Sequence, residues 1–248
     1  MFTRKPPPAI AAICIGHSHA ANLQDAAQED GVAIEVLNFW GLPGAVIDDA
    51  DGVRLAPYVA ARLSAPGVGT PVFSLVGGAV HYDIGLLVPE PAFDVIDPAR
   101  PDAPLLEGAT IIPHGALRHA VARRTAPYLR IMDAVREAAI GPVFHLQSPP
   151  VYEDEAVQEH DYGWVAFYGT GRRIAPAWFR QRLWRMHSDV VAAHCAANGI
   201  TFVPCPPAAM TPEGYLRPGL NGRPAHANAA YGRLLLEQIR GLSRPRTA

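Results

Sequence analysis

The chain has 248 residues, 49% of them hydrophobic, and a formal net charge of −2. That is length for one α/β domain or two small ones, with enough apolar residues for a sizeable core. So balanced a charge leaves no footprint for nucleic acid, and no stretch approaches the ~20 apolar residues of a membrane span. Lys5 is the only lysine, which excludes a phosphate-loop or Schiff-base lysine beyond the first few residues. Cys14, Cys195 and Cys205 are odd in number and lack CxxC spacing, so no disulfide framework is expected. Arg4 and Lys5 ahead of an apolar run imitate a signal peptide. Pro6, Pro7 and Pro8 interrupt it and the run is short, so the expected location is the cytoplasm.

The elements alternate. Ala9 to Ile15 is a continuous apolar run, the mark of a strand buried on both faces. Gly16 breaks it, and Ala20 to Glu29 reads as a helix ended by Gly31. Ala33 to Phe39 is a second strand, and Trp40 to Gly52 a loop of Gly, Pro and Asp. Val53, Leu55, Tyr58, Val59 and Leu63 have helical spacing. Pro71 to Val76 is a third strand. Residues 82 to 113, rich in proline, predict loops. Ala116 to Ala139 predicts a helix broken or kinked near Pro127, and Pro142 to Leu146 a fourth strand.

Tyr152 to Gly171 is first acidic, then aromatic, and reads either as a lid over a strand end or as a solvated run beside an aromatic cluster. Ile174 to Asn198 is expected to be the longest helix, turning Phe179, Leu183, Met186, Val190 and Val191 to the sheet. Ile200 to Val203 is a fifth strand. His226 to Leu242 is a terminal helix with Tyr231, Leu234, Leu235 and Ile239 on one face. Such alternation implies a parallel sheet with right-handed crossovers, helices on both sides, and one domain over 1–248. Ile13, Ile15, Val36, Phe73, Leu75, Phe144 and Phe202 are the expected core.

Ligands bind at the carboxyl ends of strands in such sheets. Ser18 follows the first strand there, at a helix N-terminus whose free N–H groups favour developing negative charge. As a bare structural residue it would be an N-cap. His17 and His19 form a His-x-His pair, which with His81 could ligate a divalent metal; the set falls short of a complete ligand sphere. His114, His119, His145, His160, His187 and His194 read as surface or structural residues.

Four short blocks together resemble the SGNH (GDSL-like) hydrolases over most of the chain. Gly16-His17-Ser18-His19 is similar to the nucleophile block, and Gly41 in Asn38-Phe-Trp-Gly-Leu-Pro-Gly44 to the second-block glycine. Gly77-Gly78-Ala79-Val80-His81 is similar to the third block, and His226 in His-Ala-Asn-x-x-Tyr-Gly to the last-block histidine. The resemblance implies a three-layer α/β/α sandwich of flavodoxin-like type, a five-stranded parallel sheet in order 2-1-3-4-5. It further implies an esterase or deacylase that needs no cofactor. Ser18 would be its nucleophile and His226 its base. The N–H groups of Ser18 and Gly78 would be oxyanion donors, and Gly41, His17, His81 and Arg223 would line the substrate site. The expected partner is a small-molecule or carbohydrate ester.

Three positions depart from the family pattern. His17 stands where the family has Asp, Ala79 where it has the oxyanion Asn, and Arg223 where it has the Asp three residues before the histidine. Arg223 cannot accept a hydrogen bond. The acceptor for the His226 ring is therefore expected from Asn221 or a backbone carbonyl, with Arg223 turned outward; the alternative is that Arg223 points into the cleft and binds an anionic substrate group. Two other readings follow from the same residues: an impaired member that binds a ligand in the cleft, and a metal-dependent hydrolase using His17, His19 and His81.

Overall fold

Five parallel strands carry the core. The structure, a computed structural model, describes residues 9–65, 69–153, 173–222 and 226–243. In chain order these hold β1 (Ala9–Gly16), α1 (Ser18–Glu29), β2 (Ala33–Asn38), a hairpin of β3 (Val46–Asp49) and β4 (Gly52–Leu55), and α2 (Pro57–Ser64). Then come β5 (Val72–Leu75), α3 (Val80–Gly85), the two-residue strands β6 (Phe93–Asp94) and β7 (Thr110–Ile111), and α4 (His114–Ala138). The rest is β8 (Val143–Leu146), α5 (Ala177–Ala197), β9 (Thr201–Val203) and α6 (Ala229–Leu242). The main sheet runs β2-β1-β5-β8-β9, every neighbouring pair parallel. This is the order 2-1-3-4-5 that the resemblance implied.

Alternation along β1 sorts the two faces. Ala12 and Cys14 pack with Phe73 and Leu75 against Leu23 and Ala26 of α1 and Tyr231, Leu235 and Ile239 of α6. Ile13 and Ile15 pack with Val72 against Val59 and Leu63 of α2, Met132 and Val135 of α4, and Val191 and Cys195 of α5. Helices thus cover both faces. Ile13, Ile15, Phe73 and Leu75 are buried as expected, whereas Val36, Phe144 and Phe202 are only half-buried. Val36 lies on the edge strand β2 and Phe202 on the edge strand β9. Among the described residues no helix is long and apolar enough to cross a membrane.

Several elements differ from the sequence reading. Val53 and Leu55 belong to β4, where Leu55 pairs with Val46 in an antiparallel hairpin; the helix starts only at Pro57, favoured at a first helical position. So short an apolar run fits either period. The helix α4 continues through Pro127 instead of breaking. Buried Leu117 and Val121 on one side and Met132 and Val135 on the other hold it, outweighing the ~3 kcal/mol cost of an internal proline. At 25 residues it exceeds the 21 of α5, the helix expected to be longest. Phe179, Leu183, Met186 and Val190 of α5 do not face the sheet. They pack on Leu117 and Val121 of α4 and on Val95. Most of Tyr152 to Gly171, read as a lid or a solvated run, lies outside the described residues.

Behind β6 an ion pair is sealed in. Asp94 is fully buried and accepts the N–H groups of Val95 and Leu106, both at 2.7 Å, together with the guanidinium of Arg182. Arg182 also donates to Pro104 O at 2.7 Å and lies 5.3 Å from the centre of the Trp178 ring. It pins the proline-rich segment onto α5.

Candidate active site

Three predicted blocks end on one row of the sheet. Gly16 of β1 pairs with Asn38 of β2 on one side and Leu75 of β5 on the other. Ser18 lies two residues beyond that row, and Gly41 and Gly78 three beyond it. Their strands are parallel, so all three sit at its carboxyl edge. Ser18 is half-buried and is the first residue of α1. It is not the cap: His17 holds that position, and no side chain caps the helix. The helix therefore starts two residues earlier than Ala20, with Ser18 on its first turn, where unpaired N–H groups gather.

His17 leans on aromatic rings, edge-on to Phe39 at 5.1 Å and Tyr128 at 5.6 Å between centres. Burial lowers its pKa. Gly41 sits in an exposed 3-10 turn, Phe39–Gly41, where a β-carbon would meet nothing. Gly77 and Gly78 are constrained. Gly77 has φ +74°, which favours glycine. A β-carbon on Gly78 would come within 2.5 Å of His19 Cδ2 and 2.7 Å of Nε2. The close approach that glycine permits at 78 is therefore made by the His19 ring. Ala79 is the residue before α3.

The base candidate arrives from the far end of the chain. His226 does not start the terminal helix; Asn228 caps it, accepting from Ala230 N at 2.9 Å and Tyr231 N at 3.2 Å. Asn is a preferred cap, a signal present in the sequence. His226 lies instead on a short return in which Asn221 bridges Ala227. Its carbonyl accepts from Gly222 N at 3.0 Å and from the Tyr152 hydroxyl. The His226 ring stands 5.4 Å from that of His19, centre to centre, with the planes 36° apart. The chain neighbour of Ser18 and the candidate base are thereby side by side. Asn221 turns its oxygen to Gly219 N, 3.3 Å away, so that acceptor is engaged elsewhere. Arg223 lies outside the described residues.

Histidines supply much of the polar interior, two of them, His145 and His187, read from the sequence as surface or structural and two, His19 and His81, as candidate metal ligands. His19, His81, His145 and His187 are all buried. His81 and His187 rings are 5.6 Å apart, and His145 Nδ1 is 3.3 Å from Ser74 Oγ. Burial pushes the pKa of His19 and His145 down to about 3 and of His187 to about 4, and holds His81 well below its usual value. Both ring nitrogens of His19, His81 and His187 lack hydrogen-bond partners. Among the described residues no three His, Cys, Asp or Glu side chains are placed to hold one metal ion. His17, His19 and His81 are thus not gathered into the ligand set considered from the sequence.

A small cavity touches His19 and Gly78, and a larger one lies apart from them on α5. The first, of about 10 Å³, room for about one water molecule, is lined by His19, Gly78, Gln147, Ser148 and Tyr231 among others. The second, about 680 Å³, runs along α5 beside Glu153, the residue after Tyr152. Trp178, Gln181, Arg182, Arg185, Glu213 and Tyr215 help to line it.

No family model and no curated protein matches the chain. Solved structures do. One is described as a putative platelet activating factor from Streptococcus pneumonia: 13% identity, 98% of this chain and 86% of that one, TM-score 0.47. Another is an extracellular lipase from Streptomyces rimosus: 14% identity, 96% and 100% coverage, TM-score 0.45. A third is a GDSL-like lipase from Bacteroides thetaiotaomicron: 12% identity, 93% and 88% coverage, TM-score 0.40.

Proposed function

We propose that this chain is a serine hydrolase of the SGNH type, cleaving a carboxylic ester of a small or carbohydrate-linked acyl group. The observation that carries the reading is the 5.4 Å between the rings of His19 and His226. It joins the neighbour of Ser18, at the end of the first strand, to a histidine more than two hundred residues away.

In this reading Ser18 Oγ attacks the ester carbonyl while His226 takes its proton. The N–H groups at the start of α1 and at Gly78 face the developing oxyanion. His226 returns the proton to the departing alcohol. A water molecule, deprotonated by the same ring, then releases the acid from Ser18. None of Ser18, Gly78 and His226 lines the cavity on α5 beside Glu153, whose polar groups would suit a polyhydroxylated group of a larger substrate. Each hydroxyl both donates and accepts, and guanidinium and carboxylate groups supply the complementary donors and acceptors, with Trp178 and Tyr215 as apolar faces.

Hydrolysis of a small activated acyl ester tests the proposal. Wild type should turn it over, and Ser18→Ala and His226→Ala should each reduce the rate to background. Turnover that survives Ser18→Ala would overturn it.

A further inference from the structure

His19 is wedged into the site by its surroundings. Its ring is buried, on the first turn of α1, against the one face of Gly78 where no β-carbon fits. Neither ring nitrogen has a hydrogen-bond partner. Buried imidazoles rarely stay so, because each unpaired polar group costs about 1–3 kcal/mol. The adjoining cavity of about 10 Å³ admits about one water molecule, enough for one nitrogen. Among the described residues the only ring in contact distance of His19 is that of His226. Two imidazoles joined by one N–H···N bond of about 3 Å have centres roughly 5 Å apart; at 5.4 Å the rings stand near that spacing without being bonded, and a small turn of either ring would join them.

We propose that His19 is a positioning residue for His226, its neutral imidazole offering a lone pair to a ring N–H of His226. A histidine that takes a proton becomes a donor at both nitrogens, and an acceptor on the inner side holds its ring and favours the charged form. The neighbouring chargeable groups that act on His19 are themselves histidines, His226, His187, His17 and His145. On the His226 side the Tyr152 hydroxyl donates to the backbone carbonyl. Burial keeps His19 neutral throughout the working range, so its lone pair persists as His226 titrates. The consequence for catalysis rests on the proposed role of His226; the pairing of the rings does not.

The test is a titration of the imidazole ¹⁵N resonances, with those of His226 assigned from their loss in His226→Asn. In wild type, His19 should stay neutral while one of its nitrogens shifts in step with His226. In His19→Met, which keeps bulk but has no comparable acceptor, the His226 pKa should fall by about one unit, tenfold in proton affinity. His19→Gln, which retains an acceptor oxygen, should restore most of that shift. A packing role alone would move both variants alike. A His226 titration unchanged in His19→Met overturns the proposal. So does a wild-type His19 whose nitrogens ignore the titration, a measurement needing no variant of His19. The readout requires no turnover, so the ring pairing can hold even if the chain proves inactive on esters.

Discussion

Tyr152 donates its hydroxyl to the main-chain carbonyl of His226, the same oxygen that accepts the Gly222 N–H at 3.0 Å. Two donors thus fix the backbone from which the candidate base projects, one of them from a loop beyond β8. Tyr152 is itself buried, so the clamp is anchored in the core. Replacing it with Phe removes the hydroxyl and little else. Tyr152→Phe should lower kcat about tenfold, the effect of loosening a catalytic geometry, while a single neutral hydrogen bond costs only about 1 kcal/mol of stability. Steady-state kinetics beside thermal melts check this split.

Gly78→Ala should destabilise by about 1–3 kcal/mol, the usual cost of overpacking, because the new methyl meets the His19 ring. The penalty should shrink in a His19→Ala background, where the space is open. A double-mutant cycle in urea measures the coupling. Strict additivity would show that the two residues do not share this space.

Acid should unfold the protein early. His19, His145 and His187 have folded pKa values pushed down to about 3, 3 and 4 by burial, against about 6.5 when unfolded. Below 6.5 the unfolded chain binds protons that the fold refuses. Stability is therefore full above pH 6.5 and is lost as pH falls toward 3–4. By pH 5 each of the three should contribute a loss of about 2 kcal/mol, and His81 acts in the same direction. Urea midpoints at pH 7.5 and pH 5 check this; equal midpoints would contradict it.

Arg182→Leu leaves Asp94 sealed in the core and, among the described residues, with only the Val95 and Leu106 N–H groups to hold it. Removing one partner of a buried ion pair costs about 3–5 kcal/mol, so the melting temperature should drop by more than about 6 °C. Replacing Asp94 and Arg182 together with Leu should cost less than Arg182→Leu alone. Differential scanning calorimetry on the two variants decides.

The sheet was legible because its central strands are short, dominantly apolar runs bounded by glycine. Ala9 to Ile15 and Pro71 to Val76 read as buried strands, and the glycines after them mark where each strand delivers a loop to the carboxyl edge. Ser18, Gly41 and Gly78 could be placed on that edge from strand order alone. The hairpin around Val53 was not legible: four residues per strand fit two periodicities, and only pairing with Val46 to Asp49 selects one. Nor did α4 stop at Pro127, because packing on both sides outweighs a local preference. The His226 helix start was misplaced although Asn228 carried the capping signal. Hidden most completely was the histidine interior. Burial of His145 and His187 depends on which face of β8 and α5 meets the core, and spacing does not report that His19 would lie against Gly78.

Covalent capture of Ser18 by a fluorophosphonate probe, read by mass spectrometry of the digested protein, tests directly whether Ser18 is an activated nucleophile. Such a probe phosphonylates a serine only where a neighbouring base activates it. One adduct is expected, on the peptide carrying Ser18. Labelling should be slowed at least about a hundredfold by His226→Ala, the scale of general-base assistance. An unlabelled Ser18 in the folded protein, or labelling indifferent to His226, would contradict it.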